Sequence, residues 1–550
     1  MKSLSTYQIR IAIIAIAALL FVPFLNGVHL FDWDEINFAE AAREMIVTGD
    51  YLTVQINFQP FWEKPPLFIY MQVVAMKAFG INEFSARLPN AICGIVTLVT
   101  IFNIGSKTRD DLFGLLWTLA YAGSILPFLY FKSGIIDPWF NLFIFLGIYH
   151  LVVYTNIENG QKTKQAALGG IFAGLAVLTK GPVGFLLIAL TGSVYLLSVR
   201  FKVKVKLSDL FLYFIVLALV GCFWFIIQVI SGNTQTVLDF IDYQIRLFRT
   251  EDASHGGFLG YHFVVLLFGV FPSSILALRT FWTKEEEGSK LSHIRRWMIV
   301  LFWVVLVLFS IVKTKIVHYS SMAYFPLTFM AALFVYNLAQ GKVEWRKWQT
   351  VLLLIFASLI CLPFLIIPFV DKLKGQVIDS NIIKDPFAVG NLQANGNWTG
   401  LEVLIPLVFL IGIYLMPLMY KKSQTVGRGV YLWTLTGIFT YSVLIFIVPK
   451  IEAYSQRANI EFISSLSTED VYIKTVGFKS YAPYFYGKTL PPEKLESYDT
   501  EWLLSGPIDK DAYFITKIQH ANLEEKYPEV QRLSEKNGFV FYLRKKSKNM

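Results

Sequence analysis

Long apolar runs separated by short polar breaks occupy most of the chain. Runs of spanning length lie near 11–30, 88–106, 112–130, 137–155, 165–179, 183–199, 209–230, 261–281, 297–312, 319–339, 349–370, 401–420 and 430–448. About 20 apolar residues in a helix match the hydrocarbon thickness of a bilayer, so the pattern predicts thirteen membrane spans. A shorter apolar segment, 66–80, is expected to be re-entrant or interfacial, because counting it as a span would invert every later loop. Lys180-Gly181-Pro182 breaks one long apolar block and reads as a tight turn at the outer surface. After residue 448 the periodicity changes. Strand-like runs at Val471–Val476, Ala512–Ile515 and Gly538–Leu543, with a helical stretch around Leu523–Glu535, predict a small α/β domain over 449–550. The expected fold class is an all-α polytopic membrane domain over 1–448 followed by that domain.

Charge orients the bundle. With Lys2 and Arg10 inside, alternate loops carry a total of 20 Lys and Arg on one side, including Lys107, Arg200, Lys290, Lys342 and Lys421. The positive-inside rule then puts the N-terminus in the cytoplasm and 449–550 outside. Composition agrees: 55% of residues are hydrophobic, 16% aromatic and only 16% charged. Cys93, Cys222 and Cys361 all lie in apolar runs, which gives neither a disulfide framework nor a Cys metal motif. No signal-peptide cleavage site is evident after the first run, so it is expected to remain as a span.

The outer side collects the chemistry. The first span ends in Phe31-Asp32-Trp33-Asp34-Glu35, and Asp34 is expected to cap an interfacial helix bearing Ile36, Ala39, Arg43 and Ile46. Further outer loops hold Glu63-Lys64-Pro65-Pro66, Lys132 to Pro138 with Asp137, Asp239 to Gly257 with Arg246 and His255, and Lys313-Thr314-Lys315 with His318 and Tyr319. Carboxylates can take a proton from a nucleophile. Lysines and arginines can hold a phosphate as it leaves. Glu and His can share a divalent metal. Each feature also has a structural reading. Asp34-Glu35 and Asp137-Pro138 are ordinary helix starts, Lys313 and Lys315 can snorkel, His255 and His318 can be plain loop residues, and Arg246 can pair with Asp242.

In this order and topology the motifs resemble the GT-C membrane glycosyltransferases, and among them the bacterial relatives of protein O-mannosyltransferase and the lipid A aminoarabinose transferases (ArnT-like). The carrying residues are Asp34-Glu35 with Ala42-Arg43-Glu44-Met45, Phe61-Trp62-Glu63-Lys64-Pro65-Pro66, Ala86-Arg87-Leu88-Pro89, Ile136-Asp137-Pro138, Leu178-Thr179-Lys180-Gly181, Ser254-His255-Gly256 and Lys313-Thr314-Lys315 with Tyr319. The resemblance implies sugar transfer, with inversion, from a polyprenyl (undecaprenyl) phosphate to a glycolipid or protein on the periplasmic face of a bacterial inner membrane. It implies Asp34 as general base, Glu35 in support and Asp137 as a second carboxylate. Lys64, Arg43, Arg87, Arg246, Lys313, Lys315 and Tyr319 would contact the donor phosphate. Glu63 and His255 match positions that bind a metal, zinc or similar, in the aminoarabinose enzymes. The expected partners are the donor, the acceptor and membrane lipids, with no nucleic acid, and the expected state is a monomer. Asn37-Phe38 stand where the aminoarabinose enzymes usually carry Arg-Tyr, which leaves sugar and acceptor open. The alternatives are a transporter or flippase of lipid-linked sugars, and an O-antigen-ligase-type transferase with a diphosphate donor. A transporter should carry ionisable groups at mid-membrane, whereas these spans are nearly free of charge.

Overall fold

The computed structural model describes residues 5–156, 161–249, 256–283, 289–419 and 426–547. Helices dominate. In chain order the first twelve are α1 (Thr6–Phe21), α2 (Asp34–Thr48), α3 (Leu67–Phe79), α4 (Glu83–Thr108), α5 (Asp111–Ala122), α6 (Ile125–Tyr130), α7 (Asp137–Asn156), α8 (Lys162–Lys180), α9 (Val183–Ser198), α10 (Leu207–Gly221), α11 (Phe223–Ile230) and α12 (Thr234–Arg249). Among the described residues seven helices are long and apolar enough to cross a membrane, or up to nine if each of two bent pairs is one span. The bends are 53° between α10 and α11 and 109° between Tyr261–Gly269 and Ser273–Thr280. Several predicted spans are therefore shorter or broken. The 112–130 run divides into α5 and α6. Helix α3, with 13 residues, is about 20 Å long and too short to cross.

Small residues let helices approach closely. A Cβ on Gly170 would lie 2.6 Å from the Tyr213 carbonyl oxygen, and one on Gly174 would lie 2.7 Å from Val220 Cβ. This GxxxG spacing on α8 seats it against α10, the close-approach device of membrane helices. Gly181 (φ 89°) then turns the chain from α8 into α9, as the Lys-Gly-Pro break predicts.

The first outer loop is more buried than expected. Helix α2 begins at Asp34 itself, with Trp33 at the N-cap making no side-chain bond, so Asp34 is not the cap. Every residue from Glu35 to Met45 is buried. The helix is covered by the tail rather than lying on a surface, because Ile36, Phe38 and Met45 share one apolar cluster with Ile460, Ile463, Tyr481, Phe485 and Phe541.

The tail carries a four-stranded sheet of order β3-β4-β6-β5, after a short hairpin of β1 (Gln55–Ile56) and β2 (Gln59–Pro60) in the first loop. Strands β3 (Tyr472–Thr475) and β4 (Ala512–Lys517) pair in parallel, while β6 (Phe539–Arg544) pairs antiparallel with β4 and with β5 (Val530–Lys536). The predicted helix around Leu523–Glu535 is helical only over Leu523–Lys526, and its second half is β5. Asn537 (φ 52°) and Gly538 (φ 81°) form the two-residue left-handed turn that folds β5 onto β6.

Candidate functional site

A cavity of about 630 Å³ lies where the N-terminal ends of α2 and α7 meet the C-terminal end of α8. It gathers Asp34, Glu63, Lys64, Asp137, Lys180, Arg246, His318, Tyr319 and Lys479. It is also lined by the apolar side chains of Phe140, Val183, Leu187, Leu308, Phe309 and Met322. A lining of both charged and apolar side chains suits a molecule with a charged head and a hydrocarbon tail.

The two carboxylates differ. The Asp34 side chain is 39% exposed and faces the cavity, whereas that of Asp137 is 3% exposed. Lys180 Nζ donates to Asp137 Oδ1 at 2.6 Å. His318 Nε2 stands 3.9 Å from Asp34 Oδ2 and 3.9 Å from Asp137 Oδ2. Both carboxylates sit in the first turn of a helix, where the dipole favours their negative charge.

Cations reach the same space from separate elements. Lys64 Nζ lies 5.2 Å from the Tyr243 ring centroid, and the Arg246 guanidinium carbon lies 5.3 Å from the same ring. The Tyr243 hydroxyl points to Glu63 Oε2 at 3.4 Å. Lys180 is 5.6 Å from the centre of the Tyr319 ring. Lys479, from the tail, lies 4.6 Å from the Trp33 ring. The tail is held there by Asp32, which accepts hydrogen bonds from the Ser480 hydroxyl and from the Tyr481 N–H.

Other expected phosphate contacts point elsewhere. Glu35 accepts from Arg87 Nη2 at 2.7 Å and Nε at 2.9 Å, from the Phe31 N–H at 2.9 Å and from the Gly134 N–H. Burial alone would raise the Glu35 carboxyl, but the Arg87 guanidinium together with the Phe31 and Gly134 N–H groups holds it below its ordinary range. Arg87 also donates to the carbonyls of Leu25, Val28 and His29, so this pair fastens the end of the first span to α4. Arg43 is spent on both oxygens of Glu40, at 2.7 Å, and on the Thr489 carbonyl. Lys315 Nζ donates to the carbonyls of Phe309, Ser310 and Val312 at 2.6–2.9 Å, closing the end of the helix Lys290–Ile311. Arg43, Arg87 and Lys315 thus have buried partners that occupy their donors, and neither they nor Lys313 line the cavity. Among the described residues no group of three or more His, Cys, Asp or Glu side chains gathers to hold a metal ion. Glu63 lines the cavity, and its expected co-ligand His255 lies outside the described residues.

In the sequence His318 stands among the outer-loop groups and Lys180 in a carrying motif, but neither has an expected role there, and nothing singles out Lys479. Lys180 carried a signal, since a lysine closing an apolar helix on the non-cytoplasmic side runs against the charge bias. Lys479 carried none, because only the packing of the tail brings it to Trp33.

The dolichyl-phosphate-mannose-protein mannosyltransferase family model matches residues 63–226. Over 339 residues the chain is 25% identical to an undecaprenyl phosphate-alpha-4-amino-4-deoxy-L-arabinose arabinosyl transferase of Pectobacterium carotovorum, covering 60% of this chain and 59% of that one. An uncharacterised protein of Aquifex aeolicus is 27% identical over 320 residues, 56% of this chain and 60% of its own. The crystal structure of ArnT from Cupriavidus metallidurans bound to undecaprenyl phosphate superposes with a TM-score of 0.75 at 16% identity, over 98% of both chains. The chain shares the fold of that ArnT structure. Its sequence match spans about three fifths of the length of the curated transferases, whereas the structural likeness runs nearly end to end and includes the tail. An oligosaccharyltransferase from Archaeoglobus fulgidus shares the fold more distantly, with a TM-score of 0.50 over 87% of this chain and 63% of its own, at 11% identity.

Proposed function

We propose that the protein is an integral membrane glycosyltransferase that moves a sugar from a polyprenyl phosphate to an acceptor hydroxyl on a glycolipid or protein. The observation that carries the reading is one cavity lined by the half-exposed carboxylate of Asp34, by Lys64, Lys180 and Arg246, and by apolar side chains. The donor's phosphate sits among the cations and its chain follows the apolar side chains. Asp34 removes the acceptor proton. The acceptor oxygen bonds to the anomeric carbon as the carbon–oxygen bond to phosphate breaks, and the bonding electrons leave with the phosphate. Lys64 and Arg246 stabilise that charge. One displacement needs no covalent intermediate and inverts the carbon. Asp137 is fixed by Lys180 and orients the acceptor or Asp34, while Glu35 with Arg87 fixes the start of α2. Tyr319 shapes the wall beside Lys180. No step is routed through a metal.

The reading includes thirteen crossings of a bacterial inner membrane, a cytoplasmic N-terminus and residues 449–550 as a periplasmic α/β domain. Helices α1, α5, α8 and α9 then supply the crossings beyond the seven longer helices and the two bent pairs, and α3 stays at the outer interface.

The test uses purified protein in nanodiscs with radiolabelled polyprenyl-phosphate sugars and a membrane-lipid or protein acceptor. Wild type should transfer label and Asp34→Asn should lose at least about 100-fold, the contribution of a positioned general base. Transfer by Asp34→Asn at the wild-type rate would remove Asp34 as base.

A further inference from the structure

We propose that His318 is a positioning residue that bridges Asp34 and Asp137 and keeps Asp34 ready as the base. The inference rests on the reading of Asp34 given above. One ring nitrogen, Nε2, stands 3.9 Å from an oxygen of each carboxylate. Asp137 Oδ2 is buried and accepts no hydrogen bond from a described residue, because Lys180 serves only Oδ1. At 3.9 Å from each, Nε2 is beyond direct hydrogen-bond distance and stands between the unserved Asp137 oxygen and Asp34.

The physics follows from spacing. Two carboxylates on either side of one imidazole repel each other in a poorly solvated site, and such a pair shares a proton unless something between them carries positive charge or an N–H. Asp137 has Lys180. Asp34 is more exposed, and among the described residues it stands within ion-pair distance of His318. The charged groups facing His318 are Asp34 on α2, Asp137 on α7, Lys180 on α8 and Lys64 before α3. The Tyr319 ring lies 5.4 Å from its own. Without the imidazole, nothing would stand between the two carboxylates at this point, and Asp34 would lose the group that separates it from Asp137. The Ser321 hydroxyl donates to the His318 carbonyl, and Ser321 Oγ accepts from Asn141, which ties the bridge to α7.

The experiment measures kcat/KM for sugar transfer against pH for wild type, His318→Leu, His318→Ala and Asp34→Asn, together with donor-lipid binding and thermal stability. The acid limb of His318→Leu should move to higher pH by about one unit, the size of a shift from losing one close partner. Its rate should return toward wild type above that limb, with donor binding unchanged. Added imidazole should move the limb of His318→Ala back toward lower pH, and this arm decides if the leucine variant does not fold. An unmoved limb, or a loss equal at every pH in a folded variant, overturns the bridge. Asp34→Asn separates the two ideas: if it still transfers sugar the base assignment fails, and if it is silent while the His318 limbs are unmoved only the bridge fails.

Discussion

Glu35 and Arg87 show how one residue pair can look like chemistry and be architecture. Both are buried and every oxygen of Glu35 is served. Breaking such a pair leaves an uncompensated charge, which costs about 3–5 kcal/mol. Arg87→Met should therefore lower the melting temperature in detergent sharply, and Arg87→Met with Glu35→Leu should recover much of the loss. Lys64→Ala should do the reverse, weakening donor-lipid binding at little cost in melting temperature, as titration with the labelled donor would show. Glu44 offers a pH handle. Burial, and then the neighbouring Glu40, push its carboxyl from 4.5 up to about 9, and its Oε1 has no hydrogen-bond partner among the described residues. The folded protein keeps this proton while the unfolded chain gives it up above 4.5. Its stabilising contribution is thus complete below that value and is lost as pH rises through about 9. Melting temperature should fall for wild type across that window, and Glu44→Gln should fall less.

At the scale of elements, the contact of α8 with α10 rests on absent side chains. Gly170 and Gly174 face Tyr213 and Val220 at distances no Cβ tolerates. Gly170→Leu should push the helices apart and move Lys180, at the end of α8, away from Asp137. Reduced monodisperse yield and lost transfer are the expected results, whereas Leu197 and Leu219 are exposed and make no such close approach. The end of α8 was legible as a turn from Lys180-Gly181-Pro182, because proline and a left-handed glycine act locally. That the same lysine pairs with Asp137, 43 residues earlier, was not legible, because it depends on how α7 packs on α8. In the tail, the polar run Val530–Lys536 has one buried residue and six exposed ones, so its strand has no apolar alternation to announce it. The Asn537-Gly538 turn was the available signal.

At the scale of the whole molecule, the tail and the first outer loop form one body. Leu30, Ile36 and Phe38 pack in the same cluster as Ile460, Tyr481 and Phe541. Ending the chain after Val448 would expose that cluster, and the shortened protein should fail to yield a folded monomer by size-exclusion chromatography. The orientation is testable in a cysteine-free background. Ser505→Cys, on the exposed side of the tail, should react with an impermeant maleimide from the periplasm, and Gln340→Cys should react only after the inner membrane is opened. Equal labelling of both from outside would overturn the topology.

The sequence by itself determined the helical membrane class and the residue types available in each loop, and it predicts the sidedness of the loops. Apolar run length, loop charge and turn residues are local or additive properties, so they can be read one segment at a time. It also offered Asp34, Lys64 and Asp137, which do line one cavity. Tertiary structure decided which charges face that cavity and which are consumed in holding it. Arg43, Arg87 and Lys315 are as basic in sequence as Lys64, but buried partners occupy them. His318 and Lys479 become site residues only because packing brings them to Asp34 and Trp33. A charge needs a partner whenever it leaves water, and which partner it finds is settled by distances the chain order does not contain.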